Sequence, residues 1–347
     1  MAGRRKLIVP KVAVFLGALT LVFLCARGWL KQDPANPPRP ATRVNSLASQ
    51  TVTTGPVTTG PATTGPATTR AAEQRLAPPP PANPTPEQIA AAKKACERGL
   101  DLKAKNDLVT ARQVLSEVLA AGMLSDAQAQ ECRTALMQIA QQVVFSDKVF
   151  PHDPYAYRYA VKANDSLTSI VRKETLLIPA EGIQLINGIK DAKRLQVGQW
   201  LKLIKGPFDA IVTKHNFTLD LYQHGMFVKS YRVGLGQNGS TPVGLWMVAP
   251  GGRIPRAPWT PPPSSTEDRV IKWGQPGYPL GKEGLWISLR GLDKTNEGIR
   301  GFGIHGTDQP DSVGKQASLG CVRLGDADIA ELFSLLCEDN SRIEVRP

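Results

Sequence analysis

The chain has 347 residues, and its 42 Lys and Arg side chains outnumber 30 Asp and Glu side chains to give a formal net charge of +12. This length is enough for roughly two or three domains, and the 31 Gly and 29 Pro residues predict flexible linkers beside the folded parts. The positive charge suits a nucleic acid, an anionic membrane face or a polymer rich in carboxylates. Because the sequence contains no nucleic-acid-binding motif and no stripe of basic and aromatic residues, we expect no nucleic-acid partner.

The N-terminus has the pattern of a membrane-targeting segment. Three basic residues at positions 4–6 precede an apolar run over residues 7–26 that is interrupted only by Pro10 and Lys11, and about 20 apolar residues are needed for a helix to cross a bilayer. A cleaved signal peptide is the alternative, although residues 24–27 (Leu-Cys-Ala-Arg) lack a clear small-x-small cleavage site. We interpret residues 1–30 as a signal anchor that forms a transmembrane helix with its N-terminus in the cytoplasm. This predicts a single-pass protein of the cell membrane whose C-terminal part lies in the periplasm or cell wall.

Residues 31–85 are rich in Pro, Thr, Ala and Gly and contain a five-residue repeat of the type Thr-Thr-Gly-Pro-Ala. Such a composition buries too little apolar surface to offset the entropy of ordering, so we predict a disordered linker. The linker would be a tether that lets the following domains reach the cell wall from the membrane.

Residues 86–150 predict a small module of three helices. The patterns Thr-Pro-Glu-Gln at residues 85–88 and Ser-x-x-Gln at residues 125–128 are typical of capped helix starts. Apolar faces at helical spacing contain Ile89, Ala92, Cys96 and Leu100 in the first helix, Leu108, Ala111, Leu115, Val118 and Leu119 in the second, and Cys132, Leu136, Ile139 and Val143 in the third. Cys96 and Cys132 could pair in an exported protein or stay as two buried thiols, and the sequence leaves both open. No residue here suggests chemistry, so we interpret the module as an interaction or spacer unit.

Residues 156–205 predict a small α+β domain. Its landmarks are Tyr-Ala-Val at residues 159–161, Asp-Ser-Leu at residues 165–167, where the Asp or the Ser can cap a helix, and Leu-Gln-Val-Gly-Gln-Trp-Leu-Lys-Leu at residues 195–203. In type and order these landmarks resemble a LysM domain. The resemblance implies a βααβ fold and a glycan ligand built on N-acetylglucosamine, as in peptidoglycan or chitin. Most of the landmarks are turn and core residues, so a purely structural α+β domain is the alternative.

Residues 207–347 predict a mainly-β domain. Short runs rich in β-branched and aromatic residues are separated by turn dipeptides such as His-Gly at residues 224–225. Residues 250–281 form a Pro- and Gly-rich insertion with two tryptophans, which we interpret as a wall or lid of a functional site. Asp326 is predicted to cap a helix with an apolar side.

One C-terminal stretch combines a thiol nucleophile with a base. His305 and Cys321 stand 16 positions apart with glycines beside them. A thiol attacks as thiolate, and a nearby imidazole is the commonest way to generate one. The motifs Ile-His-Gly-Thr at residues 304–307 and Ser-Leu-Gly-Cys-Val-Arg at residues 318–323 resemble the signature of the L,D-transpeptidase (YkuD-type) catalytic domain. The chain departs from that signature at Leu319, where a second histidine usually stands.

The resemblance implies a role for each matching residue. Cys321 is the nucleophile, and His305 takes its proton as general base and returns it to the leaving amine as general acid. The backbone carbonyl of Gly306 orients the imidazole, so no Asp or Glu is required. Ser318 and Gly320 belong to the turn that meets the substrate, and backbone amides around Gly320 and Cys321 form an oxyanion hole.

Three further residues qualify this assignment. Arg323 would neutralise a substrate carboxylate or brace the cysteine turn, with a salt bridge inside the domain as the structural alternative. A cysteine can also be a buried structural thiol, which is our interpretation of Cys337. Because the proton-transfer histidine of the signature matches His305, we expect the replacement at Leu319 to alter substrate contacts while activity survives.

Together these patterns predict a multidomain chain: an N-terminal transmembrane helix, a small helical module, a βααβ LysM-like domain and a mainly-β YkuD-like sandwich catalytic domain. By resemblance it is a peptidoglycan L,D-transpeptidase of cell-wall organisation and cell shape, which cleaves a stem tetrapeptide at its terminal D-alanine and transfers the acyl group to an acceptor amine. Peptidoglycan stem peptides, glycan strands and the membrane are the expected partners. The alternatives are an L,D-carboxypeptidase with water as acceptor, an inactive wall-binding scaffold, and an exported cysteine peptidase. No metal or organic cofactor is expected, since His and Cys do not recur at zinc-ligand spacing.

Overall fold

The structure is a computed structural model that describes Leu76, Pro81 and residues 83–261 and 268–347. The predicted signal anchor lies outside the described residues, and so does almost all of the predicted linker. In the described part of the chain, no helix has both the length and the apolar character needed to span a membrane.

Three helices occupy the predicted helical module: α1 (Pro86–Ala104), α2 (Leu108–Ala120) and α3 (Asp126–Val143). The predicted capping boxes are present, because the Thr85 and Ser125 hydroxyls accept hydrogen bonds from backbone N–H groups three residues later. The predicted apolar faces form one core, in which Cys96 and Cys132 are buried free thiols. Ile89 was wrongly placed in that core: it lies in the first turn of α1 and is 44% exposed, so the buried face begins one turn later.

The next region has the predicted order of strand, helix, helix and strand: β1 (Ala156–Ala160), α4 (Leu167–Lys173), α5 (Ala180–Ile186) and β2 (Trp200–Ile204). The two strands pair antiparallel. Ser166 caps α4 by accepting a hydrogen bond from the Ser169 N–H at 3.1 Å. The carboxylate of Asp165 is used elsewhere, since it accepts from the Tyr159 hydroxyl at 2.7 Å. The βααβ order is confirmed, whereas glycan binding stays a prediction.

The described residues of the remaining region form ten strands: β3 (Phe208–Thr213), β4 (Thr218–Gln223), β5 (Met226–Arg232), β6 (Leu235–Gly236), β7 (Gly244–Ile254), β8 (Trp286–Gly291), β9 (Gly303–Gly306), β10 (Gln316–Ser318), β11 (Val322–Leu324) and β12 (Arg342–Arg346). Eight of them form one mixed sheet in the order β11-β9-β8-β7-β12-β3-β4-β5, and β6 pairs with β10. The mainly-β character predicted for residues 207–347 is confirmed.

One helix of this region, α6 (Asp326–Leu335), packs beside β9. Its N-cap is Gly325 and not Asp326 as predicted; the Asp326 carboxylate lies in the first turn, where the helix dipole favours negative charge. Helix α5 approaches α6 so closely that a Cβ at Gly182 would lie 2.5 Å from the Ser334 carbonyl oxygen. One continuous core joins the βααβ region to the sheet.

The helical module packs directly against the edge strand β5. Phe227 of β5 belongs to the core of the helical module. Arg112 of α2 donates from Nη2 to Gln223 Oε1 at 3.0 Å, and Arg133 of α3 donates from Nη1 to Asp220 Oδ2 at 2.7 Å. Apolar and polar contacts therefore fix the module to the sheet.

Candidate active site

The two predicted catalytic residues come from neighbouring parallel strands. His305 lies in β9, Cys321 directly precedes β11, and the pairing places Arg323 opposite His305. The same register brings the turn that carries Cys321 beside the start of β9, at Gly303. A side chain is excluded there, since a Cβ at Gly303 would lie 2.8 Å from the ring of Trp286.

His305 is buried, and a short hydrogen bond fixes its ring. Nδ1 lies 2.6 Å from the carbonyl oxygen of Gly306. A carbonyl oxygen can only accept, so Nδ1 carries the proton and the lone pair of Nε2 is available to accept another. Burial, and to a smaller degree the charge of Arg323, lowers the pKa of His305 to about 4 against the opposing effect of the Gly306 bond. The imidazole is therefore a neutral, oriented base at pH 7.

The indole of Trp286 covers one face of this imidazole. Trp286 stands opposite His305 in the β8–β9 ladder, and the two rings stack with centroids 5.2 Å apart and planes inclined by 12°. The contact restricts rotation of the imidazole in addition to the hydrogen bond from Nδ1. It also places an aromatic face where positive charge would develop if His305 accepted a proton.

The Cys321 thiol is protonated in the resting site. Burial raises the pKa of Cys321 to about 11, and backbone contact at Gly303 and the charge of Arg323 offset this only in part. Its Sγ donates a long hydrogen bond to the Gly301 carbonyl oxygen at 3.5 Å. The site therefore holds a neutral thiol and a neutral imidazole instead of a thiolate–imidazolium pair. Attack requires transfer of the thiol proton as the new bond forms.

Ser318 shapes the turn that presents the thiol. Its hydroxyl donates to the Cys321 carbonyl oxygen at 2.7 Å and accepts from the Gly320 N–H at 3.1 Å. Gly320 has a φ of 137°, which a side chain would disfavour. The Gly320 N–H, predicted to face an oxyanion, is instead donated to Ser318 Oγ, so of the two amides predicted for the oxyanion hole we retain that of Cys321.

Arg323 lies beside the thiol with part of its guanidinium unpaired. Nη1 donates to Gln309 Oε1 at 3.4 Å, and the buried Nε finds no partner among the described residues. The backbone of Arg323 pairs in both directions with Gly234, which holds the β11 turn in place. The alternative of an intradomain salt bridge is not found in the part of the chain that the structure describes.

This region matches a known protein family. Residues 208–345 match the family model described as the L,D-transpeptidase catalytic domain, YkuD. These residues form a YkuD-type L,D-transpeptidase catalytic domain. The match begins after the βααβ region, so the interpretation of residues 156–205 as LysM stays a prediction.

Curated relatives carry the same family name. A Bacillus licheniformis protein named L,D-transpeptidase YkuD is 29% identical over 142 residues, covering 41% of this chain and 67% of that protein. YkuD of Bacillus subtilis is 26% identical over 182 residues, covering 51% of this chain and 92% of that protein. Bacillus subtilis YqjB, also named as an L,D-transpeptidase, is 34% identical over 82 residues, covering 21% of this chain and 44% of that protein.

Solved structures of L,D-transpeptidases show more distant similarity. The enzyme from Mycobacterium smegmatis is 15% identical with a TM-score of 0.31, and the match covers 44% of this chain and 65% of that chain. One from Mycobacterium tuberculosis H37Rv is 13% identical with a TM-score of 0.31, covering 44% and 64%. The match thus spans less than two thirds of each of these two solved chains.

The described residues of the insertion, 250–261 and 268–281, contribute to a small apolar core beside the site. Its small core contains Ala257, Ile271, Tyr278 and Leu280, against which Trp259 and Trp286 pack. A Cβ at Gly306 would lie 2.8 Å from the Leu280 carbonyl oxygen. This core contacts Trp286, which stacks on His305; its role as a wall or lid of a functional site stays a prediction.

Sequence reasoning missed Trp286 as a site residue. An aromatic residue in a strand-forming run, such as residues 285–289, normally packs in a core, so the run itself does not predict a role in the site. The available signal was the run Gly-Phe-Gly at residues 301–303 before the histidine, which predicts that a bulky group approaches β9. Leu319, at the departure from the family signature, is 51% exposed on the turn before Cys321. Among the described residues, no group of three or more His, Cys, Asp and Glu could hold a metal ion.

Proposed function

We propose that the chain is a peptidoglycan L,D-transpeptidase with Cys321 as nucleophile. The observation that carries this proposal is the neutral imidazole of His305, fixed by the Gly306 carbonyl on the strand beside the cysteine turn. It lies within a domain matched to this family. The substrate is a stem tetrapeptide, whose terminal D-alanine is released.

The reaction follows from the protonation states of the two residues. Nε2 of His305 accepts the thiol proton while Sγ of Cys321 attacks the carbonyl carbon preceding the terminal D-alanine. The Cys321 N–H stabilises the tetrahedral oxyanion. When the C–N bond breaks, His305 returns the proton to the leaving amine, and a thioester remains on Cys321. An acceptor amine then attacks the thioester, loses its proton to His305, and the thiol is regenerated.

The other modules give the proposal its cellular setting. We place the anchor of residues 1–30 in the cell membrane and the described modules in the periplasm or cell wall. The βααβ region is proposed to hold glycan strands of peptidoglycan. This arrangement would concentrate stem peptides near Cys321.

Acylation of the full chain tests the proposal. Incubation with a tetrapeptide-bearing muropeptide or with a carbapenem should give a covalent adduct that intact-mass and peptide-mass spectrometry place on Cys321. Cys321→Ala should abolish the adduct, whereas the matched control Cys337→Ala should retain it. A folded wild-type protein that forms no adduct would contradict the proposal. Hydrolysis of the muropeptide without transfer would identify a carboxypeptidase, and cleavage of ordinary all-L peptides would identify a peptidase.

A wall-binding scaffold with weak or no catalysis is the second candidate. Two observations favour it: burial raises the pKa of Cys321 where many reactive thiols have a lowered pKa, and Leu319 replaces the second histidine of the signature. Sedimentation of the full chain with purified peptidoglycan, compared between wild type and Cys321→Ala, separates the two. A scaffold would sediment equally in both forms and leave the peptide composition of the wall unchanged.

A further inference from the structure

A cleft of about 370 Å³ lies where three parts of the chain meet. Helix α2, the segment before β1 and the turn between β4 and β5 contribute its walls, which include Arg112, Glu117, Asp153, Tyr155 and His224. None of the residues assigned to the transpeptidase site lines it. Its volume suits a small ligand.

Arg112 supplies a buried cation to this cleft. The residue is 2% exposed, its Nη2 donates only to the neutral side chain of Gln223, and its Nε has no hydrogen-bond partner in the described part of the chain. Burial lowers the pKa of Arg112 to about 10, although the negative charge of nearby Asp153 opposes this shift, so the guanidinium stays charged at neutral pH. A buried cation that forms no ion pair is costly, and such groups are normally paired.

Two carboxylates line the same cleft without pairing with Arg112. Asp153 Oδ1 accepts from the Tyr155 N–H at 2.9 Å, and Glu117 Oε1 accepts from the Gln113 side-chain amide at 3.0 Å. No carboxylate forms an ion pair with Arg112 among the residues that the structure describes. The cleft therefore offers a cation and two anions at separate positions on its walls.

An aromatic stack forms another wall. The rings of Tyr155 and His224 lie 4.1 Å apart at an angle of 14°. His224 Nε2 donates to the Lys205 carbonyl oxygen at 3.1 Å, because a carbonyl oxygen can only accept. Burial lowers the pKa of His224, so this wall is uncharged and suits an apolar part of a ligand.

We propose that the cleft binds a short zwitterionic peptide. Its carboxylate would pair with Arg112, whose planar guanidinium can donate two parallel hydrogen bonds, and its ammonium group would face Glu117 and Asp153. The same two carboxylates disfavour a doubly charged anion such as inorganic phosphate. A bound peptide would contact the helical module, the segment before β1 and the catalytic sheet together.

Calorimetric titration of the full chain with alanylalanine tests this site. We expect saturable binding of one peptide, with affinity reduced at least about tenfold in Arg112→Gln because a charge-assisted pair is lost. The control Arg98→Gln changes an exposed arginine of α1 and should leave the affinity unchanged. N-acetylated alanylalanine, which lacks the ammonium group, should bind the wild type more weakly than alanylalanine does.

Arg112→Gln also removes the hydrogen bond to Gln223 and could weaken the fold. A second variant therefore tests the same site without changing Arg112. Glu117→Gln changes an exposed side chain; it should weaken binding of alanylalanine several-fold and leave binding of the acetylated peptide unchanged. No saturable binding of alanylalanine to the wild type up to about 10 mM would overturn the proposal. So would undiminished affinity in folded Arg112→Gln, or tighter binding of inorganic phosphate than of alanylalanine.

Discussion

At the scale of single residues, the pair of His305 and Cys321 is uncharged at rest. The pKa of His305 is lowered to about 4, and that of Cys321 is raised to about 11. The proposed base, His305, can accept a proton only when neutral, so acylation by a carbapenem should be nearly constant from about pH 5.5 to pH 9 and fall as the pH approaches 4. Stopped-flow rates across this range check the expectation. An acid limb near the ordinary histidine pKa of about 6.5 would contradict the neutral pair.

Trp286 also contacts His305, because its indole ring covers one face of the imidazole. In the proposed reaction, the imidazolium that forms when His305 accepts the thiol proton lies against the indole ring at 5.2 Å, an arrangement that stabilises a desolvated cation by about 1–2 kcal/mol. Trp286→Leu should therefore slow acylation about fivefold to thirtyfold, whereas Trp286→Phe should retain most of the rate. NMR titration of His305 should show a lower pKa in the leucine variant. Equal rates and equal pKa values in all three proteins would leave Trp286 with a packing role only.

At the scale of elements, the contact between α5 and α6 connects the βααβ region to the active-site strand. Gly182 allows this contact, because a Cβ there would lie 2.5 Å from the Ser334 carbonyl oxygen, and α6 packs beside β9. Gly182→Val should lower the free energy of unfolding by about 1–3 kcal/mol through overpacking. The control Gly298→Val introduces a side chain into open space, and thermal unfolding should show a much smaller change. Comparable losses of stability in Gly182→Val and Gly298→Val would show that close packing at Gly182 is not the cause of the destabilisation.

At the scale of the whole molecule, features that depend on neighbouring residues could be predicted from the sequence, whereas contacts between residues far apart in the chain could not. Capping boxes and the mainly-β region follow from neighbouring residues, whereas resemblance to known families supplied the βααβ order and the Cys321 and His305 assignment. The docking of the helical module was not predicted, since Arg112 and Gln223 are separated by 111 positions and carry no shared periodic pattern. The Trp286 stack was also missed, because pairing register, and not spacing along the chain, places it on His305.

The helical module, the βααβ region and the sheet pack against one another. We therefore expect them to unfold together and not as three independent domains. Phe227 and Val228 are neighbours in β5 whose side chains belong to different cores: Phe227 packs with the helical module and Val228 with the sheet. Both are buried, so each change to alanine should destabilise the protein, by about 3–5 kcal/mol for the phenylalanine. Hydrogen exchange should then rise selectively in α1–α3 of Phe227→Ala and in the sheet of Val228→Ala.

The wild type should unfold in one cooperative calorimetric transition, because the three regions share cores. Separate transitions for the helical module and the sheet in the wild type would show that the interface contributes little to stability.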